Sequence, residues 1–251
     1  MQFSFPEANP VRVNCPDSAS VLGEVRRRLS SGSGFALATI NVDHLQRLGE
    51  DVSFRQAYAA HDLVCADGNP IVWLSRLAGK PVNLAAGSDL VLPLAQLAAS
   101  EGMPIALIGS SEESLALAAK AMQAQVPGLR IALCHAPGFP FDPNGDEAAA
   151  IIESIRQSGA RLCFLALGAP RQELFAIRAR DALGNVGFAS IGAGLDFLSG
   201  HQRRAPVAMR RMKIEWIWRM LSNPKRLAMR YAKGFAILPG HAAAAIRQRI
   251  R

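Results

Sequence analysis

Two segments decide the fold: Phe35-Ala36-Leu37-Ala38-Thr39-Ile40-Asn41-Val42-Asp43-His44 and, further on, Leu63-Val64-Cys65-Ala66-Asp67-Gly68-Asn69-Pro70. Each is a short apolar run that stops at a cluster of polar residues. Such a run suits a strand covered on both faces. If both are strands of one parallel sheet, Asn41 and Asp67 emerge side by side at its carboxyl edge, where open α/β sheets bind ligands. Asp67 is then the candidate reactive carboxylate, and the stretch from Thr39 to Trp73 is the centre of the chain.

Outward from this stretch, apolar runs alternate with helical patterns. Residues 1–17 read as irregular, with Pro6, Pro10 and Pro16. Helices are expected over 18–29, 71–77, 88–99, 111–125, 146–157 and 170–183, and further strands over 104–108, 129–134, 162–167 and 186–191. Pro70 suits a first helical turn. Ser110 and Glu113 have the spacing of a capping box. Strands alternating with helices predict a Rossmann-like parallel sheet with helices on both faces. The expected organisation is a catalytic core over 1–200 and a helical appendage over 201–251.

The totals agree with that class. A chain of 251 residues, half of them apolar, buries one sizeable core. Cys15, Cys65, Cys134 and Cys163 form no CxxC pair, and three lie in expected strands, so they read as small core residues in a reducing compartment. The start of the chain lacks a basic region followed by an apolar stretch, and no apolar run is long enough to span a bilayer. A cytoplasmic location is expected.

Charge is unevenly placed. Residues 1–200 hold 15 Lys and Arg against 19 Asp and Glu, a balance of −4. Residues 201–251 hold 13 against one, Glu215, a balance of +12. A basic tail of this kind meets a polyanion: nucleic acid, an acidic membrane surface or a phosphorylated ligand. On a helical wheel Ala205, Met209, Met212, Trp216 and Met220 fall on one side, Ile214, Ile217, Trp218 and Leu221 widen that arc, and Arg211, Glu215 and Arg219 make a narrow polar strip. Pro224 starts a second helix in which Arg226, Arg230 and Lys233 share a face. Apolar width with basic residues suits a helix that packs on the core and lies on a membrane. It disfavours a nucleic-acid-binding regulator, since duplex binding rewards a polar face.

Several stretches can carry chemistry. An Asp-Gly pair after a strand is commonly a turn, but Asp67 stands between a buried run and a helix start, where desolvation suits a general base. Thr39, Asn41 and His44 are neutral polar groups on the neighbouring strand end, suited to orienting hydroxyls; a lone histidine there is more often structural. In Gly168-Ala169-Pro170-Arg171-Gln172-Glu173 the glycine permits close approach, the helix start favours an anion, and Gln172 can bond a base, ribose or sugar. Gly109-Ser110-Ser111 follows the same logic. Gly192-Ala193-Gly194 begins a dinucleotide fingerprint, but Phe197 occupies the third glycine position, which makes a nucleotide-dependent oxidoreductase the weakest reading. No Asp-x-Asp occurs to hold a divalent ion, so no metal and no cofactor are expected. A diphosphate leaving group would need helix termini and arginines.

Together these pieces resemble the WecG/TagA/CpsF family of bacterial glycosyltransferases. The resemblance runs from about residue 10 to 235, through Thr39–His44, Ala66-Asp67-Gly68, Ala86–Leu90, Leu167–Glu173 and Gly192–Phe197, and on through Arg204-Ala205-Pro206, Glu215-Trp216, Arg219, Pro224, Arg226 and Arg230-Tyr231. It implies an inverting, metal-independent transferase acting between a UDP-sugar donor and a polyprenyl-diphosphate-linked acceptor in surface or exopolysaccharide synthesis. It further implies peripheral attachment to the anionic inner face of the cell membrane. By position Asp67 matches the base, and Thr39, Asn41 and Gln172 match substrate contacts; Gly109, Ser110, Gly168 and Asp196 join them as candidate binding residues. Arg203, Arg204, Arg219, Arg226 and Arg230 are the candidates for acceptor diphosphate or membrane lipid. Members often carry an arginine shortly before the Gly-Ser-Asp-Leu turn. Asn83-Leu84-Ala85 stands there instead, so the usual sugar-pocket contacts do not carry over. The apolar appendage has two packing partners open to it, its own core or a neighbouring subunit in a homo-oligomer.

Overall fold

The computed structural model describes residues 1–5, 9–206 and 224–250, together with Met209 and Trp218. In chain order the elements are β1 (Gln2–Phe3), β2 (Val11–Arg12), α1 (Ser18–Ser31), β3 (Phe35–Ile40), α2 (Val42–Glu50), α3 (Val52–Ala59), β4 (Leu63–Ala66) and α4 (Asn69–Leu77). They continue with α5 (Gly87–Ser100), β5 (Ile105–Gly109), α6 (Glu112–Gln125), β6 (Ile131–His135), α7 (Asp146–Ser158), β7 (Leu162–Ala166), α8 (Arg171–Leu183), β8 (Gly187–Ser190), α9 (Gly194–Ser199) and α10 (Pro224–Ile250).

Six strands form one parallel sheet in the order β4-β3-β8-β7-β5-β6. All six residues of β3 are buried, as a strand covered on both faces requires. Period-two alternation sends its side chains to opposite layers. Phe35 and Leu37 join the core under α1, α5 and α6. Ala38 and Ile40 face the core built with α2, α3, α4 and α10, and Ala36 joins a third cluster with α7 and α8.

Phe35 fills its layer because its neighbour on β8 has no side chain. A Cβ on Gly187 would lie 2.3 Å from the Phe35 ring, which is fully buried. Gly187→Ala is therefore expected to destabilise the fold by about 1–3 kcal/mol. Urea unfolding reads this directly, and an unchanged midpoint would show that the ring can shift.

Four expectations need correction. Residues 1–17 are not wholly irregular: Gln2–Phe3 and Val11–Arg12 pair antiparallel, and Phe3 and Val11 are buried in the α2–α4 core. The cap of α6 is Ser111, whose side chain accepts the Ser114 N–H; Ser110 instead takes φ 55°. Cys134 is exposed, because β6 is the edge strand and alternate residues face solvent. Ala205 is buried but lies in an irregular stretch, not a helix. The rest of the helix expected before Pro224, including Arg219, falls outside the described residues, apart from Met209 and Trp218.

The C-terminal helix α10 begins at Pro224 and continues through Pro239. Its later half packs on α2 and α4. Ala245 is buried there, with Ile237, Leu238 and Ala242 beside it. Gly234 lets the helices close, since a Cβ would stand 2.8 Å from Val42. Gln248 Nε2 donates to the Gln2 carbonyl at 2.6 Å and its Oε1 accepts the Gln2 N–H at 3.3 Å. His241 meets the ring of Phe3 edge-on.

Candidate active site

Ile40 pairs with Ala66 in the parallel ladder, so Asn41 and Asp67 leave the sheet side by side, and the Asp67 N–H donates to the Ile40 carbonyl at 2.8 Å. Gly68 follows at φ 109° and α4 starts directly after it, with Pro70 in the first turn. The next extended stretch continues this edge: Leu84 bridges Ala66, and the Ala85 N–H donates to the Ala66 carbonyl at 2.8 Å. Leu84 and Ala85 thus lie beside the strand end that leads to Asp67.

Asn41 has a structural task as well. Its Oδ1 accepts the His44 N–H at 3.0 Å and caps α2, which leaves its Nδ2 donor for other work. Thr39 is buried one residue before the strand end. His44 is buried too, with Nδ1 3.0 Å from the Tyr58 hydroxyl.

A second group gathers at the ends of β5 and β7. Gly109 has φ 118°, and a Cβ on it would meet the Ala166 carbonyl at 2.5 Å. Only glycine allows this close crossing. The chain then turns so that Ser110 Oγ donates to Asp196 Oδ1 at 2.5 Å. Ser114 Oγ donates to the same oxygen at 3.0 Å and Gln202 Nε2 to Oδ2 at 2.9 Å. Asp196 therefore ties α6, α9 and the chain leading to the appendage into one unit. Gly168 sits at φ 71° before α8, and its carbonyl accepts the Gln172 N–H.

Burial joins the two groups. Gln172 and Glu173 lie in the first turn of α8, at 3% and 0% exposure. Gln172 Nε2 donates to Glu173 Oε1 at 2.8 Å, and His44 Nε2 lies 4.0 Å from that oxygen. Burial drives the Glu173 pKa up to about 7 against the stabilising Gln172 bond. Burial, then the charges of Glu173, Cys65 and Asp67, hold the Tyr58 hydroxyl well above its ordinary value. A buried polar chain Gln172–Glu173–His44–Tyr58 thus connects the end of β7 to the flank of Asp67.

Among the candidate arginines, Arg204 is engaged: it pairs with Asp89 of α5 at 2.5 Å and stacks over the Phe197 ring. Arg203 is exposed beside it. The side chains of Arg226 and Arg230 lie outside the described residues, as does Arg219 entirely. Among the described residues no three His, Cys, Asp or Glu side chains converge as metal ligands, and no helix is long and apolar enough to cross a membrane.

Over residues 8–251 the chain matches the family described as Glycosyl transferase WecG/TagA/CpsF. The chain belongs to this family. It is therefore a glycosyltransferase, an enzyme with a sugar donor and an acceptor.

Three residues near the site carried no assigned role in the sequence reading. Glu173 stood in a quoted motif without a task, and Tyr58 lay in a stretch whose helix was not foreseen. Phe139 was the third: it is 88% exposed in the β6–α7 loop, with the Arg171 guanidinium 5.4 Å from its ring centre. Its signal was an aromatic residue in the Gly/Pro-rich run Pro137-Gly138-Phe139-Pro140.

Proposed function

We propose that this glycosyltransferase is an inverting, metal-independent hexosyltransferase that moves a sugar from UDP to a polyprenyl-diphosphate-linked saccharide at the inner membrane face, in surface or exopolysaccharide synthesis. Asp67 is the base. It takes the proton from the acceptor hydroxyl as that oxygen bonds to the anomeric carbon, and the bond from that carbon to the UDP oxygen breaks with its electron pair leaving on UDP. The observation that carries this reading is the position of Asp67: a carboxylate at the carboxyl edge of a parallel sheet, beside Asn41, in a chain of this family.

Residues 1–200 act as the catalytic core and 201–251 as the acceptor-binding and membrane-binding appendage. The packing of α10 on α2 and α4 supports this, because α2 follows Asn41 and α4 follows Asp67. The appendage thereby reaches the side of the core on which the base lies. Exposed Trp73 and Leu77 on α4, with Ile246 and Ile250 on α10, add apolar surface among basic residues, which suits an anionic bilayer. If Arg203, Arg204, Arg219, Arg226 and Arg230 all served lipid or diphosphate, at about 1 kcal/mol each they would supply about 5 kcal/mol, enough for reversible docking. Arg204 would first have to leave Asp89.

For the donor, Thr39, Asn41 and Gln172 offer hydrogen bonds to sugar hydroxyls. Gly109, Ser110, Gly168 and Asp196 shape the neighbouring turns, while Phe139 and Arg171 suit a base and a phosphate. Asn83-Leu84-Ala85, standing in place of the arginine the resemblance leads one to expect, favours a donor or acceptor sugar different from that of typical members.

The test is UDP release from UDP-glucose, UDP-glucuronate, UDP-N-acetylmannosamine and its uronate, with vesicles carrying the lipid acceptor. One donor is expected to turn over, and chelation with EDTA is expected to leave its rate unchanged. Loss on chelation that Mn²⁺ or Mg²⁺ restores would overturn the metal-free mechanism. Flotation with anionic vesicles is expected to carry the protein and to fall as salt rises. Failure to float at low salt would remove the membrane from the account.

A further inference from the structure

The amide of Gln172 is held by one contact. Its Nε2 donates to Glu173 Oε1, and its Oε1 is buried with no hydrogen-bond partner. A charged carboxylate only accepts, so a charged Glu173 fixes which end of the amide it takes. An acceptor shut away from water and left without a donor is costly, so the site is incomplete until something donates to Gln172 Oε1.

Resting on the reading that Gln172 touches the donor sugar, we infer that Glu173 is a positioning residue that makes Gln172 a pure acceptor. The ligand group it meets is then a donor, a sugar hydroxyl or amide N–H, and not a phosphate or carboxylate oxygen. The arrangement also rejects anions there, because a phosphate or carboxylate oxygen facing Gln172 Oε1 would leave two acceptors opposed.

The position of Glu173 suits this task. It neighbours Gln172 on the same helical turn, so the pair moves as one body with α8. Its surroundings are Asp43, His44 and Arg47 from α2 and Tyr58 from α3. Burial holds its pKa near 7, so the proton comes and goes over the neutral range. A protonated Glu173 can donate to Gln172 Oε1, which turns the amide and offers Nε2 to the ligand instead. A ligand N–H then meets a donor where it met an acceptor, and a sugar hydroxyl must turn round to accept, giving up the geometry of its former bond.

The experiment compares affinities for UDP and for UDP-N-acetylmannosamine and UDP-glucose by calorimetry, across the neutral pH range, in wild type, Glu173→Gln and Glu173→Leu. UDP lacks the sugar and serves as the reference. In wild type the advantage of the bound UDP-sugar over UDP is expected to fall about tenfold as pH drops through 7. In Glu173→Leu it is expected to be low and independent of pH. In Glu173→Gln, which like the protonated acid can both donate and accept and does not titrate, it is expected to be low and flat, as in wild type at low pH. UDP affinity is expected to stay constant throughout.

A wild-type advantage that does not change with pH, or a leucine or glutamine variant that keeps it, would overturn the role of Glu173 while leaving the transferase reading intact. Failure of wild type to bind UDP at all would instead remove the donor reading, and this inference with it. Circular dichroism of each variant separates loss of fold from loss of orientation, and the glutamine variant decides the matter if the leucine variant unfolds.

Discussion

Asp67→Asn is expected to lower sugar transfer by about 10²–10⁴-fold, the usual contribution of a positioned base, while UDP-sugar binding and the fold persist. The substitution keeps the shape of the side chain and removes its ability to take a proton. The backbone reasons for its position are untouched: the Asp67 N–H still bonds the Ile40 carbonyl, and Gly68 still turns the chain into α4. A fall in turnover without a matching fall in donor affinity marks an interaction made at the transition state. Turnover close to wild type would take Asp67 out of the mechanism, whatever its place at the sheet edge.

The second large effect concerns stability. Glu173 has an ordinary pKa of 4.5 and a folded value of about 7, raised by burial. A raised folded value means that the native state favours the protonated form. The stability this gives is fully present below the ordinary value and is lost as pH rises through about 7. The difference corresponds to about 3 kcal/mol. Urea unfolding of wild type is therefore expected to show this loss between about pH 4.5 and about pH 8, on top of the slopes of other groups. Glu173→Gln cannot titrate, so its stability relative to wild type should rise over the same window. Parallel pH profiles for the two proteins would show that Glu173 is charged and compensated when folded. A native protein that carries such a cost keeps the carboxylate for a reason other than stability, which accords with its hold on Gln172.

The sheet and the edge that carries Asn41 and Asp67 were legible because strong local signals agreed. Apolar runs ended at polar clusters, and glycines or prolines stood at the joints, so the placement of Asn41 beside Asp67 followed from β3 and β4 alone. The expected strands and most expected helices agree with the structure to within a few residues. The helices between Asn41 and Leu63 were hidden because they are short, and the side chains that cap them, Asn41 and Asp51, fit a loop or a substrate contact equally well. The α6 cap was misplaced by one residue because Ser110 has Glu113 at capping-box spacing, whereas Ser111, the actual cap, has Ser114 there. Only the long-range bond from Ser110 to Asp196 decides between them.

The polar chain beneath the edge was beyond sequence reasoning for a different reason. Glu173, His44 and Tyr58 come from three helices, and nothing local distinguishes His44 from an ordinary core histidine. Their contact arises when α3 and α8 pack on one face of the sheet. Cys134 failed conversely: its run is apolar enough for a central strand, but the topology puts β6 at the edge.

The most direct test of the central claim is the anomeric configuration of the lipid-linked product, read by NMR after transfer from the UDP-sugar that turns over on acceptor vesicles. The account predicts acceptor-dependent release of UDP and a new glycosidic bond of configuration opposite to that in the donor, both lost in Asp67→Asn. A product that retains the donor configuration, or transfer that survives in Asp67→Asn, would contradict single displacement driven by this carboxylate.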